Sequence, residues 1–180
     1  WLGRFHPQKG LLELPDIVTR IVRANPNATG IVIGGGDKRL QETFVSEIQK
    51  KHIDGNIKLL GTIVDRALIT RYLRESKVFL MTSTYESYGQ VSLEAMKQGV
   101  PVVAYDLPPY EPLAAGMITV PILRNDLFAD TVLQLLQNKT YYRQNAMKAY
   151  KHSKNFSWNM VGKEIYELLM QPQLGNGNPE

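Results

Sequence analysis

Short aliphatic runs alternate with longer amphipathic segments along most of the chain. Trp1 to Phe5 reads as the stub of a first strand, with a loop from His6 to Gly10. Leu11 to Ala24 carries a helical pattern, and Pro15 falls in the first turn of its regular part, where a missing N–H costs nothing. Gly30 to Ile33 is a second, β-branched strand ended by Gly34, Gly35 and Gly36. Lys38 to Lys51 sets Leu40, Phe44 and Ile48 four apart, one face of a helix. Ile57 to Leu60 predicts a third strand. Asp65 is placed to cap a helix through Arg74, with Leu68, Ile69, Tyr72 and Leu73 inward. Val78 to Met81 and Val102 to Ala104 predict the fourth and fifth strands.

Beyond Ala104 the rhythm loosens. Three prolines between Asp106 and Pro112 predict a loop, and Met117 to Val120 a sixth strand. Leu127 to Leu136, Tyr141 to His152 and Met160 to Met170 predict three helices, the last entered through Phe156, Ser157 and an anchoring Trp158. Leu174 to Glu180, rich in Gly, Asn and Pro, reads as a disordered tail. Strands alternating with helices indicate an α/β fold, a doubly wound, Rossmann-like parallel sheet of about six strands covered on both faces. In the common order 3-2-1-4-5-6, strands one and four are neighbours, and ligands bind beyond their carboxyl ends, where the winding reverses. That order brings Arg4 and Lys9, the Gly34–Gly36 loop and the loop carrying Glu86 to one crevice.

The stretch from Ser83 to Gly99, S-T-Y-E-S-Y-G-Q-V-S-L-E-A-M-K-Q-G, carries the chemistry. Gly89 breaks the backbone from the strand, so that a helix begins at about Gln90 or Val91. Gly99 suits a left-handed cap, and Pro101 stops the helix. Glu86 lies in the loop before this helix and Glu94 in its first or second turn. The free N–H groups of the first turn can hold an anion. Arg4 and Lys9 can each counter a phosphate; one charge pair at ~4 Å is worth about 4 kcal/mol at an effective dielectric of about 20, before desolvation. Glu94 can take a ribose diol, and Gly35 lets a phosphate or sugar approach without a Cβ. Taken singly, a glutamate near a helix start is favoured by the helix dipole alone, and Glu86 is an ordinary loop acid. The joint pattern with Gly89, Gly99, Arg4 and Lys9 points to a site. Tyr85 and Tyr88 read as packing residues and His6 as a loop residue. No two aspartates stand one residue apart, and His6, His52 and His152 have no ligand spacing, so charge stabilisation without a metal is expected.

Length and composition narrow the field further. At 180 residues one domain is expected, burying roughly 70% of its unfolded surface. A 43% hydrophobic, 21% charged composition is that of a soluble globular domain. The net charge of +4 favours anionic ligands mildly and is too small to imply nucleic acid. Without cysteine there is no disulfide or thiolate metal site, which fits a reducing compartment. No run of 18 apolar residues occurs, and no signal peptide opens the chain. Trp1 stands directly inside a predicted strand, so a fragment of something longer is expected, with residues 1–170 as the domain and 171–180 as its tail.

These motifs together resemble the C-terminal, donor-binding domain of the retaining glycosyltransferases of family 4, enzymes of two-domain GT-B architecture. The resemblance covers roughly residues 1–170. It rests on G-R-F-H-P-Q-K-G at Gly3–Gly10, I-G-G-G-D at Ile33–Asp37, L-G-T-I at Leu60–Ile63, the run from Glu86 to Val103, and F-S-W at Phe156–Trp158. It implies that Arg4 and Lys9 contact the donor diphosphate and Glu86 the transferred sugar. The backbone of Tyr88, Gly89, Gln90 and Val91 would meet sugar and phosphate, Glu94 the ribose, and Ile63 would border the base. No cofactor is implied beyond the substrate, a UDP- or GDP-linked sugar. The implied reaction is front-face displacement with retention onto a carbohydrate or lipid-linked acceptor, in polysaccharide or glycolipid synthesis. The implied partner is the protein's own N-terminal, acceptor-binding domain, and the implied location is the cytoplasm, with room for contact with the inner membrane face through that domain. Two rival readings are a nucleotide-sugar epimerase of similar shape, which needs acid and base groups not placed here, and a non-catalytic nucleotide-binding module. The stretch D-L-P-P-Y-E-P-L-A-A-G from Asp106 to Gly116 departs from the family pattern, and Glu111 is assigned no role.

Overall fold

The computed structural model describes residues 1–156 together with Tyr166. The expected last helix, Trp158 and the tail lie outside the described residues. Among the described residues five parallel strands and seven α-helices follow in the order α1 (Leu14–Ala24), β1 (Gly30–Val32), α2 (Lys38–Lys50), β2 (Ile57–Leu59), α3 (Arg66–Glu75), β3 (Phe79–Met81), α4 (Gln90–Lys97), β4 (Val102–Tyr105), α5 (Glu111–Ala114), β5 (Ile118–Val120), α6 (Asn125–Gln137) and α7 (Lys139–Ser153). The helix starts follow local chemistry. The Asp37 carboxylate accepts from Leu40 N at 3.1 Å, that of Asp65 from Ala67 N at 2.8 Å, and the Asn138 side chain accepts from Tyr141 N at 2.9 Å.

The strands pair in two blocks. In one, β1 runs parallel to β2 with Gly30 opposite Ile57. In the other, β3, β4 and β5 pair in that order, with Phe79 opposite Val102 and Val103 opposite Ile118. The expected first strand is reduced to two parallel bridges, Leu2 to Ile33 and Phe5 to Gly36, held by bonds such as Gly3 N to Ile33 O at 3.0 Å. Each half of the doubly wound order is thus present. Among the described residues the halves are joined by loop contacts and helices rather than by a continuous ladder.

All four β4 side chains are buried, and their period of two divides them. Val102 and Ala104 face a core with Leu93, Met96 and Leu73 of α4 and α3, while Val103 and Tyr105 face Ile17 and Ile21 of α1 and Phe128 and Val132 of α6. A strand covered on both sides is what an all-apolar run predicts. A third core gathers Phe5, Leu11, Val32 and Phe44.

One expectation is overturned. Asp106 to Pro112 is not plain loop, because Pro108–Tyr110 is a 3-10 turn and Glu111 opens α5. Pro108 and Pro112 fall at the first positions of these turns, where no N–H is needed, so proline initiates here instead of breaking.

Two cavities touch the seam between the blocks. The larger, about 580 Å³, opens at the amino ends of the strands among Leu14, Val18, Ile21, Val78 and Leu80. Beside it the backbone nitrogen of Trp1 donates to Ile31 O at 3.0 Å. The predicted site residues are absent from its walls. The smaller cavity, at the carboxyl ends, holds the chemistry.

Candidate functional site

The loop after the first strand is pinned to the end of β3. Gly10 sits at φ 65°, and a Cβ on it would lie 1.8 Å from the carbonyl oxygen of Thr82, so only glycine permits this approach. Thr82 Oγ1 donates to Gly10 O at 2.7 Å, and Thr84 N donates to Gln8 O at 2.9 Å. These bonds place Lys9 over the residues that leave β3. There Glu86 is only 8% exposed. Its Oε1 accepts from Lys9 Nζ at 2.5 Å and from Ser83 Oγ at 2.9 Å. Arg4, Lys9, Ser83, Glu86 and Val91 line one cavity of about 210 Å³. Arg4 is exposed and makes no ion pair among the described residues.

The helix α4 begins where its sequence predicts. Gly89 is its N-cap at φ 78°, and no side chain caps the end. The turn is tight: a Cβ on Gly89 would lie 2.6 Å from Cε1 of Tyr110. Val91 carries the start of the helix to the cavity, and Gln90 is exposed. Tyr85 and Tyr88 are exposed too, which corrects the expectation that they pack. They leave the chain in an outward loop, away from both blocks of the core. His6 is an exposed loop residue, its Nδ1 accepting from Gln8 N at 3.4 Å.

Glu94 lies one turn further along α4 and meets a cation the sequence did not single out. Arg66, the first residue of α3, donates from Nη1 to Glu94 Oε1 at 3.2 Å. Glu94 does not line the cavity that holds Glu86. Gly35 and Ile63 also stand outside it. Gly35 faces Thr62, whose Oγ1 would be 2.6 Å from an added Cβ, and Gly34 N donates to Gly61 O at 2.8 Å, so the two glycine-bearing loops pack together. Ile63 is half-buried against the α3–α4 core. Glu111 is exposed at the start of α5 and does not line the cavity. Among the described residues no three His, Asp or Glu side chains converge as metal ligands.

Sequence reasoning did not find Ser83, Arg66 or Tyr110. Ser83 lies in the stretch the sequence singles out, but no helix starts there, so its spacing to Glu86 does not by itself announce the bond. Arg66 and Tyr110 had no signal, since each meets its partner only through tertiary packing. The assembled arrangement pairs two cations and an uncapped helix start with a nearly buried carboxylate. The first group can neutralise an anion, and the carboxylate can accept hydrogen bonds from hydroxyls beside it.

Comparison with known proteins places this arrangement in a family. The glycosyl transferases group 1 pattern matches residues 1–138. The D-inositol 3-phosphate glycosyltransferase of Corynebacterium efficiens is 28% identical over 180 residues, covering 95% of this chain and 42% of that protein. The amylovoran biosynthesis glycosyltransferase AmsD of Erwinia amylovora is 24% identical over 170 residues, covering 93% and 46%. The chain thus spans less than half the length of either relative. Among solved structures, Anabaena Alr3699/HepE in complex with UDP and glucose superposes with a TM-score of 0.84 at 21% identity, over 95% of this chain and 48% of that one. The C-terminal domain of the group 1 protein LpcC from Francisella tularensis superposes at 0.78 and 20% identity, over 86% and 83%. These likenesses give the fold, the doubly wound C-terminal half of the GT-B architecture. The pattern over residues 1–138 gives the family: the chain belongs to the group 1 glycosyl transferases.

Proposed function

We propose that this chain is the donor-binding domain of a retaining glycosyltransferase that moves a sugar from a nucleoside-diphosphate sugar to an acceptor hydroxyl, without a metal ion. The observation that carries the reading is the cavity shared by Arg4, Lys9, Glu86 and the start of α4. A departing diphosphate builds up negative charge. Two cations and the N–H groups of an uncapped helix supply the fixed positive charge that stabilises it, which is the part a metal plays elsewhere. Glu86 accepts from the hydroxyls of the transferred sugar, and Glu94 with Arg66 takes the ribose side. Lys9 therefore turns from Glu86 to the phosphates when donor binds. Among the described residues no Ser–His, Cys–His or paired-acid arrangement lines the cavity, which favours front-face displacement, with the leaving diphosphate helping to deprotonate the acceptor.

The nucleotide is read as UDP or GDP; UDP is the one found with the neighbour of like fold. Relatives named for inositol phosphate, amylovoran and phosphatidyl-myo-inositol support a role in polysaccharide or glycolipid synthesis; the location proposed with it is the cytoplasm, with room for contact with the inner membrane face. No described helix is long and apolar enough to cross one. The acceptor site is assigned to a second, N-terminal domain. Closure of two such domains aligns the reactants, an effect worth roughly 7–11 kcal/mol, so residues 1–180 alone are expected to bind donor and transfer nothing. The test is a thermal-shift panel of UDP-, GDP- and ADP-glucose in EDTA, followed by a radiolabelled transfer assay. At 100 times the dissociation constant the matching donor stabilises by about 2.7 kcal/mol. No shift with any donor would remove the donor reading, loss of the shift in EDTA the metal-free one, and efficient transfer by this chain alone the half-enzyme one.

A further inference from the structure

Tyr110 is a buried group that the donor reading leaves unused. It is 1% exposed in the chain's departure from the family pattern, at the end of the 3-10 turn before α5. Its ring lies against the Gly89 turn. Its hydroxyl reaches Ser83 without completing a well-formed hydrogen bond to it, has no other partner among the described residues, and lies in the field of Glu86. Burial first, and then the Glu86 charge, push the phenol upward, so it keeps its proton at any physiological pH. A buried donor without a partner is destabilising by itself, and its persistence calls for a state in which the proton is used.

The ion pair beside it supplies that state. Lys9 and Ser83 both donate to Oε1 of Glu86. If Lys9 leaves for a phosphate, a carboxylate only 8% exposed loses its cation, a change that is strongly unfavourable unless the donor that remains holds it more tightly. Ser83 has one proton, already given to Glu86, but its oxygen still accepts. We propose that Tyr110 is a positioning residue for Glu86: when Lys9 turns to the diphosphate, the Tyr110 O–H completes its bond to Ser83 Oγ, which fixes and strengthens the Ser83 bond to the carboxylate and holds it toward the sugar. This rests on the donor reading for what draws Lys9 away, but the coupling of Tyr110 to Lys9 through Ser83 and Glu86 can be tested without any ligand.

A stability cycle between Lys9→Met and Tyr110→Phe, followed by thermal unfolding at pH 8, reads the coupling. With Lys9 present, Tyr110→Phe removes an unpartnered hydroxyl and leaves the melting temperature unchanged or raised. With Lys9→Met it removes the bond that fixes Ser83 on the unpaired carboxylate, and the melting temperature drops by several degrees. Phenylalanine keeps the ring against Gly89, so a purely packing role predicts the same effect in both backgrounds, and that result overturns the proposal. Calorimetry with UDP and UDP-glucose gives the second readout. Tyr110→Phe is expected to bind UDP as the parent does and to lose several-fold of the difference between the two ligands. An unchanged ratio in a protein that binds both also overturns the proposal. Binding of neither probe by the parent counts against the UDP-sugar reading alone, and the stability cycle then decides for Tyr110.

Discussion

Lys9 Nζ and Glu86 Oε1 lie 2.5 Å apart across 77 residues of sequence, and the pair closes the seam between the two halves of the fold. The partners are not equivalent, because the Lys9 side chain is 27% exposed and that of Glu86 7%. Lys9→Met leaves the buried carboxylate without its cation and is expected to cost about 1–3 kcal/mol, less than a fully buried pair because water reaches the lysine. Glu86→Gln keeps an acceptor for Ser83 and frees a lysine that water can solvate, so it should cost under about 1 kcal/mol. Urea unfolding of the two variants checks the order; a larger loss in Glu86→Gln would show that the acid, not the cation, is the better solvated partner.

Glu94 and Glu86 stand in separate places, which separates their expected effects. Glu94→Gln weakens the bare nucleoside diphosphate by about tenfold to a hundredfold, the worth of a charged hydrogen bond to the ribose. Glu86→Gln leaves that affinity within a few-fold and abolishes what the sugar adds. Titrating both variants with UDP and UDP-glucose, and with the GDP pair, compares them. Equal losses in the two variants would contradict the division of roles.

Two glycines in the left-handed region bracket α4 but meet different surroundings. Gly99, at φ 71°, has nothing within 4 Å of an added Cβ, so Gly99→Ala should cost only the backbone strain of about 1–2 kcal/mol. Gly89→Ala adds a collision with the buried Tyr110 ring to the same strain. Its loss is expected to exceed that of Gly99→Ala by about 1 kcal/mol or more, and it alone should weaken diphosphate binding, since the start of α4 moves. Thermal melts and UDP titration of the pair are the measurement. Equal behaviour would mean that Tyr110 yields freely.

Much of this was legible in the chain because it is written locally. The strand–helix alternation, the Asp37 and Asp65 caps, the Gly89 break and the start at Gln90 depend on residues a few positions apart. The meeting of Arg4, Lys9 and Glu86 followed from the doubly wound order. What the order could not give is the state of each side chain. That Lys9 is spent on Glu86, and Glu94 on Arg66, depends on rotamers fixed by contacts across 77 and 28 residues. The prolines of Asp106–Pro112 misled because proline both ends helices and starts them. Tyr110 stayed hidden for a related reason, since its neighbour Gly89 is 21 residues earlier and nothing local marks the contact.

The central claim is that the cavity of Arg4, Lys9 and Glu86 binds the diphosphate of a nucleotide sugar through side-chain cations. Its most direct test is isothermal titration of the 180-residue chain and its Arg4→Ala variant with UDP and with GDP, in EDTA. One nucleotide is expected to bind the parent without metal, and Arg4→Ala to weaken it about tenfold to a hundredfold, as for loss of one charged hydrogen bond. Binding that requires a divalent cation, or an affinity unchanged by Arg4→Ala, would contradict the account.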